Sequence, residues 1–76
     1  MVDWRSRITI EPGKLGGKAC LRGMRFSVQD VLDYLAGGMS VDEMLSEFPY
    51  LERDDILAAL AYAAERERRT HVLAAE

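Results

Sequence analysis

Along residues 4–10, WRSRITI, apolar and polar positions alternate, with Trp4, Ser6, Ile8 and Ile10 on one side and Arg5, Arg7 and Thr9 on the other. That period of two predicts a strand with one mostly apolar face, ended by Pro12-Gly13. A second extended piece, CLRGMRF, puts Cys20, Arg22, Met24 and Phe26 on one parity, with Gly23 marking a bulge or turn. From Ser27 the period becomes helical. Val28, Val31, Leu32 and Leu35 form one stripe, Ser27 and Asp30 an approximate capping box, and Gly37-Gly38 the stop. Ser40 and Glu43 repeat the device for a second helix, whose stripe is Val41, Met44, Leu45 and Phe48 and whose end is Pro49. A third helix is predicted from about Asp54 to Arg69, with Ile56, Leu57, Leu60, Ala63 and Ala64 facing inward. The closing THVLAAE is expected to fray.

The order is therefore mainly α: a short N-terminal β-strand pair, then three helices in the layout of a helix-turn-helix domain. Residues 1–26 form an N-terminal basic arm, 27–70 the trihelical core and 71–76 a tail, within one domain. An isolated strand pair is marginal in water, so the arm needs a helix or a second subunit to lie against. The face of Trp4, Ile8 and Ile10 has little helix surface to cover it, which predicts a homodimer with these residues in the interface.

Composition narrows the class. Of 76 residues, 49% are hydrophobic, ample for a small core and too many for a disordered chain. The single Cys20 excludes an internal disulfide, and His71 has no Cys/His cluster with which to close a metal site. Asp3, Arg5 and Arg7 interrupt the first ten residues, so no signal peptide is expected, and no apolar run reaches the roughly 20 residues of a membrane span. A cytoplasmic protein is the expectation. The net charge of −3 divides unevenly. Residues 1–25 carry six Lys/Arg against Asp3 and Glu11, whereas residues 26–76 carry four Arg against eleven carboxylates, so the halves stand at +4 and −7.

The basic stretch KLGGKACLRGMRF, residues 14–26, is the candidate for chemistry. It is not a P-loop, because its glycines precede another extended piece rather than a helix and the spacing differs. Lys18 and Arg22 flank Cys20 closely enough to lower a thiol pKa, yet a half-buried strand residue is the simpler reading. Asp54-Asp55, like Asp42-Glu43, sits at a helix start, where the macrodipole favours negative charge. No nucleophile, base or metal constellation remains, so no enzyme and no cofactor are expected. For DNA, the first turn of the third helix would read Arg53-Asp54-Asp55-Ile56, which is poorly suited to a phosphate-lined groove. Phosphate contacts would fall to Arg5, Arg7, Lys14, Lys18, Arg22 and Arg25 of the arm, with the RERR run at 66–69 a further source, and Arg53 would affect sequence preference if the third helix enters a groove.

The segments GGKACLRGMRF, LAGGMSVDEML and FPYLERDDILAALAYAA together resemble the small prokaryotic family called domain of unknown function 433, also described as antitoxin-like, of the VapB type. The resemblance covers residues 8 to about 66. Departures are Ala19 where the family usually has Pro, Met24 where Thr is usual, and Glu52 where a Ser or Thr cap is common. The resemblance implies a homeodomain-like or winged-helix-like fold. It also implies an antitoxin that neutralises a PIN-like ribonuclease toxin and binds operator DNA as a second activity. The alternative is a structural, protein-interaction module that never touches DNA.

Overall fold

The structure, a computed structural model, describes residues 3–74, with side-chain surroundings as far as residue 69. Its elements are β1 (Ile8–Ile10), β2 (Ala19–Leu21), α1 (Val28–Ala36), α2 (Val41–Glu47) and α3 (Arg53–Ala74), with a 3-10 turn at Trp4–Ser6 before β1 and another at Leu15–Gly17 between the strands. The strands are antiparallel neighbours, with Ile8 opposite Leu21, Thr9 opposite Cys20 and Ile10 opposite Ala19. The chain is thus mainly helical, with a two-stranded sheet ahead of three helices. No helix among the described residues is long and apolar enough to cross a membrane.

The two short helices start where local chemistry dictates. Ser27 accepts from the Asp30 amide and Asp30 accepts from the Ser27 amide, a closed capping box, and Ser40 with Glu43 repeats it. Each box satisfies two amides that a helix start otherwise leaves without a partner, worth about 1 kcal/mol apiece. The Ser40 amide and hydroxyl also hold the Glu43 carboxyl below its ordinary pKa. α1 ends at Ala36 with Gly37 as its cap, and Gly38 follows at φ +104°, while the Met39 amide reaches back to the Tyr34 carbonyl at 3.1 Å.

Two parts of the chain depart from the pattern read in sequence. The predicted strand over 4–10 is a strand only from Ile8, because the Asp3 side chain accepts from the Arg5 amide and bends the chain into a 3-10 turn. That bend lays Trp4 edge-on against Tyr62 of α3, with ring centroids 5.0 Å apart. α3 in turn runs on to Ala74, into the stretch assigned to a frayed tail, and the side chain of His71 lies outside the described residues.

The core joins Ile8 and Leu21 of the sheet to Val28 and Val31 of α1, Met44 of α2, Leu51, and Ile56, Ala58 and Ala59 of α3. Two buried alanines let α3 approach the sheet and α1 closely, as small residues at a helix contact do. Phe26 and Phe48, with centroids 5.0 Å apart, close one end of the core.

Candidate functional site

The most polar feature of the interior is Asp55, in the first turn of α3, which is fully buried. Three elements of the fold converge on it. Arg22, beyond β2, donates to it through Nε at 2.8 Å and through a terminal nitrogen at 2.7 Å. Arg7, before β1, donates at 2.9 Å and spends the same nitrogen on Glu52 at 2.8 Å. The Glu52 amide donates to Asp55 Oδ2 at 2.9 Å. That last bond is half of a capping box, and it supplies the start of α3 that Glu52, lacking a short hydroxyl side chain, does not. Burial alone would raise the Asp55 pKa, but the bonds from Arg22, the Glu52 amide and Arg7 outweigh it and hold the carboxyl below its ordinary value. The same contacts push Arg7, through Glu52 and then Asp55, and Arg22, through Asp55, above the ordinary guanidinium range. All buried polar side-chain atoms among the described residues have a hydrogen-bond partner. This site ties the arm to the helical core; its three charges are consumed internally.

Five of the cations expected to meet polyanions are divided by this arrangement. Arg22 is held by Asp55 and also donates to the Tyr50 carbonyl at 2.9 Å. Lys14 donates to the Gly23 carbonyl and lies 3.4 Å from Glu11. Arg53 pairs with Asp42. Lys18 and Arg25 alone have no carboxylate partner among the described residues. These two stand near opposite ends of β2, because the chain reverses at Gly23 before Arg25 returns alongside.

Of the three residues expected at a partner interface, Trp4 is half-buried against Tyr62 and Ile8 belongs to the core, so only Ile10 is left open, at 59% exposure. The covering surface that the sequence did not reveal is α3 itself, packed against the 3-10 turn and β1.

Of the five residues expected to face inward on α3, Ile56 is buried in the core and Ala63 is half-buried, whereas Leu57, Leu60 and Ala64 are exposed. Asp55, Ala59 and Tyr62, at i, i+4 and i+7, lie on the inward side, while Leu57 and Leu60 point out at 41% and 37% exposure with Ala64 beside them. The signal was present in the sequence, since Asp55, Ala58, Ala59 and Tyr62 form their own stripe. It was masked because the largest apolar side chains stand on both sides of the helix. Glu52, Asp54 and Asp42 are exposed near the start of α3, and each is paired within the chain, Glu52 and Asp54 with Arg7 and Asp42 with Arg53.

Cys20 is buried, and its thiol pKa is raised by that burial; the Lys14 charge offsets this only in part. Among the described residues, no three or more His, Cys, Asp or Glu are grouped so as to hold a metal ion.

Residues 8–63 match the model of the family described as "Protein of unknown function (DUF433)". The chain belongs to the DUF433 family. It is 41% identical over 59 residues to the uncharacterized protein y4eO of Sinorhizobium fredii, a match covering 78% of this chain and 27% of that protein. The chain therefore spans about a quarter of that longer relative. The fold is similar to the crystal structure of a DUF433 member from Anabaena variabilis, with a TM-score of 0.77 and 30% identity, covering 92% of this chain and 69% of that one.

Proposed function

We propose that this DUF433 domain is a non-enzymatic binding module of the antitoxin type, which docks a basic companion protein, in the first instance a PIN-like ribonuclease, on the outer face of α3. The observation that carries the reading is the pair Leu57 and Leu60, left open on one face of a helix whose opposite face is packed into the core. Two exposed leucines one turn apart provide an apolar centre, with Ala64 allowing close approach. Glu52, Asp54 and Asp42 are exposed but already paired within the chain, Glu52 and Asp54 with Arg7 and Asp42 with Arg53, so a basic partner gains their charge only by displacing those arginines. In the same reading the domain acts inside the cell and performs no catalysis of its own.

Nucleic-acid contact is a second reading, supported by Lys18 and Arg25, which lack carboxylate partners among the described residues. It has fewer cations to draw on than the sequence suggested, because Lys14, Arg22 and Arg53 are already engaged.

The test is co-expression with the protein encoded beside this one, followed by affinity capture and an assay of ribonuclease activity. The wild-type chain is expected to co-purify and to suppress the activity, and Leu60→Asp to remain folded while losing both. Failure of the wild type to bind any neighbouring gene product, or full binding by Leu60→Asp, would overturn the reading.

A further inference from the structure

The end of the core closed by Phe26 and Phe48 carries two further aromatic rings, and both reach the surface. Tyr34 of α1 lies 5.2 Å from Phe48 and 6.1 Å from Phe26, centroid to centroid. Tyr50, in the link between α2 and α3, lies 6.3 Å from Phe48 and 6.4 Å from Phe26. The two tyrosines thus rest on the same pair of phenylalanines. Phe26 is buried and Phe48 half-buried, whereas Tyr34 and Tyr50 are 40% and 54% exposed. Packing on the inner rings holds the outer ones in place, so the domain presents two fixed aromatic side chains to solvent.

The carboxylates beside these rings are ones that the fold leaves without a cation. Asp30 stands one turn before Tyr34 on the same side of α1. One of its oxygens accepts from the Ser27 amide at 3.0 Å, and the other has no partner among the described residues. Glu47 ends α2 and precedes Phe48 in the chain. Neither forms an ion pair among the described residues. In this they differ from Glu52, Asp54 and Asp42, which arginines of the same chain already hold. Two cations are near. Arg22 donates to the Tyr50 carbonyl, but Asp55 neutralises it. Arg25 precedes Phe26 and is the one charge that opposes the carboxylates.

We propose that this patch docks an arginine-bearing segment of a partner protein, with guanidinium groups laid against Tyr34 and Tyr50 and paired to Asp30 and Glu47. A guanidinium is planar and weakly hydrated, so its face stacks on an aromatic ring while its edge donates to a carboxylate. Lysine meets the charge alone, and an apolar segment would cover the two carboxylates without compensation. The inference rests on the reading that the domain binds a basic partner, and it gives that partner a surface to occupy without displacing Arg7 or Arg53.

The experiment is a titration of the full 15N-labelled chain with hexa-arginine, hexalysine and hexacitrulline at low salt, read from amide NMR shifts. Hexa-arginine is expected to shift the amides of residues 30–36 and 46–51, hexalysine to bind more weakly, and hexacitrulline, similar in shape but uncharged, not to bind. Tyr34→Leu and Tyr50→Leu keep an apolar side chain on the phenylalanines and should each weaken hexa-arginine binding about fivefold, whereas Tyr34→Phe and Tyr50→Phe should preserve it. Glu47→Gln, at an exposed site, should weaken binding with thermal unfolding unchanged, and Arg25→Ala should strengthen it. Shifts confined to the start of α3, equal binding of hexacitrulline, or affinity indifferent to both leucine variants would overturn the proposal. If the leucine variants lose their fold, Glu47→Gln decides, and an unchanged affinity there overturns it. Hexa-arginine bound at the tyrosines by a chain that captures no companion protein would support this patch and sink the docking of a companion on α3. A companion captured by a chain that ignores hexa-arginine would do the reverse.

Discussion

Arg22 grips Asp55 with two nitrogens, at 2.8 and 2.7 Å, from a backbone conformation that arginine rarely adopts. Its φ is +45°, followed by +72° at Gly23, and the Met24 amide closes the turn on the Leu21 carbonyl at 2.8 Å. Positive φ at both central positions makes the tight reversal that hairpins favour, in which Asn or Asp usually precedes Gly. Arginine in that place is strained by about 1 kcal/mol, and the conformation persists because Asp55 fixes the side chain. Turn, arm and helix start are thereby one unit.

Replacing Asp55 with Asn should be among the most damaging single changes available. It removes the charge that Arg7 and Arg22 share, while their side chains remain only 25% and 36% exposed. Breaking a buried ion pair from one side costs about 3 kcal/mol, a large part of the roughly 4–11 kcal/mol expected for a domain this size. Urea denaturation followed by circular dichroism would measure it, and a loss below about 1 kcal/mol would deny Asp55 this role.

At Arg22 itself the ordering of two substitutions is informative. Arg22→Gly loses the ion pair but relieves the positive φ, whereas Arg22→Ala loses the pair and keeps the strain. Arg22→Ala should therefore be less stable than Arg22→Gly by about 1 kcal/mol. Equal stabilities would mean that the turn relaxes when the guanidinium is gone.

Acid should destabilise the fold, and the sign follows from the carboxylates. Asp55, Glu43 and Glu65 are all held below their ordinary pKa, Glu65 by Arg68. A carboxyl whose folded pKa is depressed contributes stability that is complete above its unfolded value, about 4, and disappears as pH falls through the folded value. Thermal unfolding should therefore be nearly flat in pH near neutrality and fall steeply below about pH 4. In Asp55→Asn the acid slope should be shallower; an unchanged slope would assign the loss to other carboxylates.

How much of this was legible in the sequence depended on how local each cause was. Ser27 with Asp30 and Ser40 with Glu43 are three residues apart, so α1 and α2 could be placed from the chain alone. The grip on Asp55 joins residues separated by 33 and 48 positions, and a helix start already explained an acidic pair without them. On α3 Ile56 meets the core as its pattern indicates, but beside it Ala58 and Ala59, not Leu57 and Leu60, are buried. Trp4 was read into a strand because alternation continued through it, while the Asp3 cap that bends the chain is a single hydrogen bond. Family membership was legible, because its signal lies in the joint spacing of glycines, caps and apolar residues over residues 8–63.

Cys20 should behave as a core residue. Its neighbours Lys18 and Arg22 suggested an activated thiol, but burial raises the thiol pKa and the Arg22 guanidinium is turned to Asp55. A disulfide reagent at pH 8 should react with the native protein far more slowly than with the urea-unfolded chain, and at a rate that follows unfolding. Fast reaction with the folded state would restore a chemical role for the thiol.

The last prediction concerns phosphate. If the domain contacts nucleic acid, the contacts must come from the cations that the fold leaves without carboxylates, Lys18 and Arg25 among the described residues of the arm. Lys18→Ala and Arg25→Ala should then weaken binding to every sequence by similar factors and lower the dependence on salt, each by about one counterion. Lys14→Ala should change binding little, because its ammonium is already bound to the Gly23 carbonyl and lies beside Glu11. Arg53, paired with Asp42, should confer no sequence preference unless that pair opens. Mobility shifts on the upstream region of the gene, at two salt concentrations and with each variant, separate these outcomes. Equal losses on replacing each of Lys14, Lys18, Arg22, Arg25 and Arg53 would show that the internal pairs yield to phosphate. No shift at low salt would remove nucleic acid from the function and leave Arg7, Lys14 and Arg22 of the arm to hold the fold together.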